Sequence, residues 1–107
     1  MMADPDILSR VRESAGRRIL FLPHAVKAMA RPVTIISRSE IESVVLRGEV
    51  IEDYPEDVRG HSCLMLAVPE GRVVHVVCSP KVDYLAIITA YLPDPAAWSA
   101  DFRQRRP

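Results

Sequence analysis

Apolar positions change their period once along this chain. Before Gly48 they recur mostly at helical spacing, broken by the short runs at Arg18 to Leu22 and Val33 to Ile36, and from Val50 onward they alternate or run in short blocks of strand length. Asp6 is placed to cap a short helix over Ile7 to Ser14, where Ile7, Leu8 and Val11 share a face and Gly16 closes the run. This helix reads as peripheral. Arg18 to Leu22 is a compact apolar segment ending at Pro23, a first strand or extended piece. Residues 24 to 31 read as helix, rich in alanine and methionine and stopped by Pro32, whose predecessor avoids helical backbone. Val33 to Ile36 is β-branched and short, hence a connector. Ser37-x-x-Glu40 is a capping box, followed by an apolar stripe of Ile41, Val44 and Val45, with Gly48 where a left-handed cap belongs.

The second half predicts strands at Val50 to Tyr54, Ser62 to Val68, Val73 to Cys78 and Tyr84 to Tyr91. The polar turns between them suit antiparallel neighbours, with Pro69-Glu70-Gly71-Arg72 as a hairpin loop. The expected fold class is therefore α+β, with N-terminal helices packed on one face of a roughly four-stranded antiparallel sheet. A single domain over residues 1–107 is expected: a peripheral helix over 1–16, a core over 17–98 and an arginine-rich tail over 99–107. Pro93-Asp94-Pro95 makes a corner after the last strand. Beyond it Trp98 and Phe102, four apart, share a packing face that turns the tail back over the domain.

Composition narrows the class without naming a reaction. Apolar residues make up 49% and charged residues 26%, a globular balance far from that of a disordered chain. No apolar run approaches the roughly 18 residues that would span a bilayer, and the acidic start Met1-Met2-Ala3-Asp4-Pro5-Asp6 lacks a secretory pattern. A cytoplasmic protein with no membrane segment is the expectation, and Cys63 and Cys78 are expected as reduced core residues. Formal net charge is zero, which argues against nucleic-acid binding through a bulk field but leaves local patches open. Arginines gather near the ends: Arg10, Arg12, Arg17 and Arg18, then Arg103, Arg105 and Arg106. Their forks suit phosphate, although the tail group reads as a solvated surface.

Several segments together resemble a small bacterial family, the domain of unknown function numbered 4258. They are His24-Ala25-x-x-Ala28-Met29, Gly48-Glu49-Val50-Ile51-Glu52-Asp53-Tyr54, Val74-His75-Val76-Val77, and Ile88-Thr89-Ala90-Tyr91-x-Pro93-Asp94-Pro95-x-x-Trp98. The resemblance runs from about residue 18 to 105 and supplies a fold more than a function. It implies a distant similarity to compact RelE-like and BrnT-like toxins, whose activity is ribonucleolytic, by analogy of fold alone. Two departures stand out. Arg31-Pro32-Val33-Thr34-Ile35 replaces the Arg-Gly-Ile of the family, and His61 sits where other polar residues are usual, so it inherits no family role.

Candidate chemistry centres on histidine. On a helix His24, Lys27 and Arg31 share one face, where two cations grip a phosphodiester while neutral imidazole acts as base. The competing reading is a capping histidine on a solvated face. His75 stands among valines in a strand, as a catalytic group or a satisfied core residue, and Tyr91 either donates to a phosphate oxygen or anchors the corner. The candidate catalytic residues are thus His24, His75 and Tyr91, with Lys27 and Arg31 binding substrate. His61, Cys63, His75 and Cys78 make no coherent tetrahedral set, so no metal and no cofactor is expected. The carboxylates Glu49, Glu52, Asp53, Glu56 and Asp57 read as a solvated edge. Three functions stay open: a metal-independent RNase-like toxin acting on RNA, a non-catalytic binding module that partners a small antitoxin-like protein, or a structural or dimerising domain.

Overall fold

The computed structural model describes residues 5–107. Three helices and five strands follow in the order α1 (Pro5–Arg17), β1 (Ile19–Phe21), α2 (Pro23–Met29), α3 (Arg38–Arg47), β2 (Glu49–Tyr54), β3 (Ser62–Ala67), β4 (Val74–Pro80) and β5 (Leu85–Tyr91). The strands form one sheet in the order β1-β5-β4-β3-β2, antiparallel throughout except that β1 runs parallel to β5. The expected four-stranded antiparallel meander is thus a five-stranded mixed sheet. The apolar run at Ile19–Phe21 becomes its far edge because α2 and α3 carry the chain across to β2, and the parallel pairing requires such a crossover.

One face of the sheet holds the main core. Cys63, Met65, Val76, Cys78 and Ile87 pack there with Ile7 and Val11 of α1 and Ile41, Val44 and Val45 of α3, all inaccessible to solvent. Alpha1 is therefore part of the core, not peripheral, and Asp6 lies in its first turn instead of before it. It also runs through Gly16 to Arg17, since Arg17 bonds back to Glu13 and to the Val82 carbonyl. Alpha2 ends at Met29, two residues short of expectation; the backbone bends at Ala30 so that Arg31 precedes Pro32 outside the helix.

The capping box of α3 is present in both directions, Ser37 Oγ accepting from Glu40 N and Glu40 accepting from Ser37 N. Gly48 then ends the helix with φ −79°, not in the left-handed region. Its glycine answers a close approach: a Cβ there would stand 2.5 Å from the Val44 carbonyl oxygen and 2.6 Å from that of Leu66. Gly71, at φ 81°, does occupy the left-handed region in the β3–β4 turn.

The second face is covered by the C-terminal segment. Trp98, 3% exposed, stands edge-on to His75 with ring centroids 4.6 Å apart. Arg105 lies 4.7 Å over the Trp98 ring and forks onto Glu52, while Arg103 forks onto Glu49. These arginines were expected to solvate a surface; instead each ties the tail to β2. Ser99 and Gln104 close the small hairpin that presents Trp98, and Phe102 turns it at φ 61°.

Candidate functional site

His75 projects from β4 toward the tail because its neighbours Val74 and Val76 belong to the helix-facing core. It is completely buried, and both ring nitrogens are engaged: Nδ1 with the Tyr91 hydroxyl at 3.2 Å and Nε2 with the Phe102 carbonyl at 2.9 Å. Burial pushes its pKa below the ordinary histidine value, ahead of the opposing pull of the Phe102 carbonyl and Glu52. Tyr91 reaches it because the β4–β5 register shifts at Ile88. That bulge sends Thr89 and Tyr91 to the face opposite Ile87, whereas simple alternation puts all three on one face. Beside them Tyr54 donates to Glu52, and burial followed by that carboxylate pushes the Tyr54 hydroxyl up to about 12. Both His75 nitrogens are thus engaged, and Trp98 covers the ring.

His24 and Lys27 stand exposed on the outer side of α2, and Arg31 lies beyond its end, so the shared helical face is not formed by all three. Among the described residues, no hydrogen bond, ion pair or ring contact joins His24, Lys27 or Arg31 to His75 or Tyr91. The structure brings His75 and Tyr91 together and leaves the α2 group apart. A joint site of His24 with His75 is not formed.

A different histidine has the geometry of a working group. His61, at the foot of the β2–β3 hairpin, presents Nε2 to Asp53 Oδ1 at 2.5 Å, and its Nδ1 faces Arg10 Nη1 of α1 at 3.0 Å. A guanidinium only donates, so Nδ1 must accept and Nε2 must carry the proton given to Asp53. Asp53 is buried, whereas the His61 side chain keeps 14% exposure. The hairpin fixes the pair locally, because Asp53 is opposite Cys63, on whose side of the strand His61 lies.

Arg10 forms one wall of a cavity of about 260 Å³ that Ser14, Arg17 and Lys81 also line. Arg17 is neutralised by Glu13, but Arg10 and Lys81 find no carboxylate among the described residues. Lys81 instead donates to the Arg59 carbonyl and passes over Gly60, where a Cβ would meet its Nζ at 2.7 Å. Ser79 Oγ donates to the His61 carbonyl at 2.7 Å and Ser14 Oγ to the Lys81 carbonyl at 2.7 Å, so the rim is held by short polar contacts. An oriented imidazole is thus joined through Arg10 to a cleft in which Arg10, Arg17 and Lys81 outnumber the one carboxylate of the lining, Glu13. The sequence holds one signal for this pair: Asp53 is on the first arm of the predicted hairpin and His61 immediately precedes the second. Arg10, 51 residues away, carried none.

Cys63 and Cys78 are directly opposed on β3 and β4 as free thiols, their sulfurs 3.9 Å apart. The contact with Cys63, then burial, drives the Cys78 pKa far up, the behaviour of an inert core thiol. No group of three or more metal-ligating side chains occurs among the described residues, and none of their helices is long and apolar enough to cross a membrane.

Fold and site define an α+β domain of three helices on a five-stranded mixed sheet, with a histidine–carboxylate pair at one end. The chain belongs to the DUF4258 family, a domain of unknown function, whose model matches residues 21–92. The match begins within β1 and ends just after β5. Alpha1, with Arg10, and the tail, with the Pro-Asp-Pro corner and Trp98, lie outside it. No curated protein and no solved structure matches the chain.

Proposed function

We propose that the domain cleaves RNA without a metal, using His61 as base and Arg10 with Lys81 as the phosphate grip. The observation that carries this reading is His61 itself, fixed in one tautomer by Asp53 with its acceptor nitrogen turned to a guanidinium at a cationic cleft. When a phosphodiester draws Arg10 into the bidentate contact that guanidinium favours, Nδ1 is freed. It then takes the proton of a ribose 2′-hydroxyl, whose oxygen attacks the adjacent phosphorus. Arg10 neutralises charge on the non-bridging oxygens, and the departing 5′-oxygen takes a proton from the Lys81 ammonium or from water. The products are a 2′,3′-cyclic phosphate and a 5′-hydroxyl end. The proposal keeps the reaction implied by the RelE-like resemblance but moves it from His24 and His75 to His61. Fold analogy is its weaker support.

The test is cleavage of end-labelled RNA by the full chain in excess EDTA, with product ends assigned by mass spectrometry. Wild type is expected to leave cyclic phosphate, and an oligonucleotide with 2′-deoxyribose at the cut site stays whole. His61→Ala slows cleavage by about 100-fold or more, the range of a lost general base. Intact RNA with the folded wild-type chain, or equal rates for wild type and His61→Ala, overturns the reading.

A further inference from the structure

The other end of the sheet carries an unfilled edge. Leu85 N donates to the Arg18 carbonyl at 2.8 Å and Leu22 N to the Ile87 carbonyl at 3.1 Å. In a parallel ladder, alternate residues bond to one side. Arg18, Leu20 and Leu22 therefore face β5, and the N–H and C=O groups of Ile19 and Phe21 face outward. No described residue bonds to these outward groups from another element. Natural edges of this kind are blunted by shortness, charge, proline or a covering loop; β1 is short, three residues between Arg18 and Leu22-Pro23, but has no charge or proline within it.

Alongside this edge runs an open groove of about 510 Å³, floored by Ile19 and Phe21 and walled by Arg18, Arg38 and Glu42. Arg38 lies 4.9 Å over the Phe21 ring, and neither Arg18 nor Arg38 has a carboxylate partner among the described residues. Glu42 is the single anion in the groove, so its balance is positive. A second copy of the chain laid on this edge would face these cations with its own.

We infer that the β1 edge is a docking surface for an extended acidic segment of another protein, which adds a sixth strand through Ile19 and Phe21 and seats its carboxylates on Arg18 and Arg38. Main-chain bonds give the affinity and the arginines the selection, as in other strand-addition contacts. The inference does not depend on RNA cleavage, since it uses none of the residues of the His61 site.

Amide hydrogen exchange on the full chain tests it. The probe is a blocked heptapeptide of alternating glutamate and valine, with a lysine–valine peptide as counterpart. The glutamate peptide is expected to slow exchange at Ile19 and Phe21 by about tenfold or more while the lysine peptide leaves it unchanged. Arg18→Glu combined with Arg38→Glu reverses the preference, and Glu42→Gln, which leaves the arginines in place, strengthens binding of the glutamate peptide. Three results overturn the inference: no slowing with either peptide, equal slowing with both, or slowing without peptide that grows with protein concentration and assigns the edge to a second copy.

Discussion

Trp98 shows how one side chain acquires its weight from what it is placed against. It is the only tryptophan, it fills the second face of the sheet, and its two sides are occupied by His75 and the Arg105 guanidinium. Trp98→Ala is expected to cost about 3–5 kcal/mol in urea unfolding, the range for truncating a buried aromatic. Arg105→Ala, whose side chain is largely exposed, is expected to cost only about 1 kcal/mol, the sum of a screened ion pair and a stacking contact. Trp98 emission shifts to the red in the second variant if the guanidinium is what shields the ring. A larger loss for Arg105→Ala than for Trp98→Ala contradicts this ranking. The importance of Trp98 was legible from its place after the Pro-Asp-Pro corner; its burial over a histidine was not, because that contact joins residues 23 apart through the tail hairpin.

Elements were read well where local chemistry sets their ends. The capping box started α3, and turn residues separated the strands, because those signals act over three or four residues. Errors fell where a neighbour in space decided. Gly48 was assigned a left-handed cap, yet what demands glycine is the approach of the Val44 and Leu66 carbonyls. Gly48→Ala is therefore expected to cost about 1–3 kcal/mol by overpacking, read as a lower urea midpoint, although its φ is one any residue adopts. An unchanged midpoint shows that the backbone yields there. In the same way the bulge at Ile88 reversed the facing of Thr89 and Tyr91, and no periodicity in β5 announces it.

For the whole molecule, proton linkage gives the direction of stability with pH. The Arg72 fork holds the buried Glu40 carboxyl at about 2, against the upward push of burial and with help from Ser37. A depressed carboxylate stabilises the fold above its unfolded value of 4.5, and that contribution is lost as pH falls from there toward 2. His75 acts in the same direction at higher pH. The unfolded chain binds a proton near 6.5 that the buried ring resists, so stability declines as pH falls through that range. Urea midpoints are expected to hold above about pH 7, fall gently toward about pH 5 and fall steeply below it. Glu40→Gln removes part of the steep fall, by about 2 kcal/mol once screening at the partly exposed Arg72 is allowed for. An identical acid profile for this variant would contradict the assignment.

What the sequence determined by itself was whatever rests on neighbours within a turn or a strand: the helix and strand periods, the capping box, the α+β class and the family motifs. Tertiary structure alone decided that β1 closes the sheet in parallel, that α1 is core, and that His75 is sealed. It alone brought Arg10 across 51 residues to His61. The reason is one of range: a periodic pattern tells a side chain which way to face, but a cleft is made by whichever elements the core packs side by side. For this protein α1 and the β4–β5 turn line the cleft and the β2–β3 hairpin brings His61 to Arg10, and their meeting was written in no single stretch of the chain.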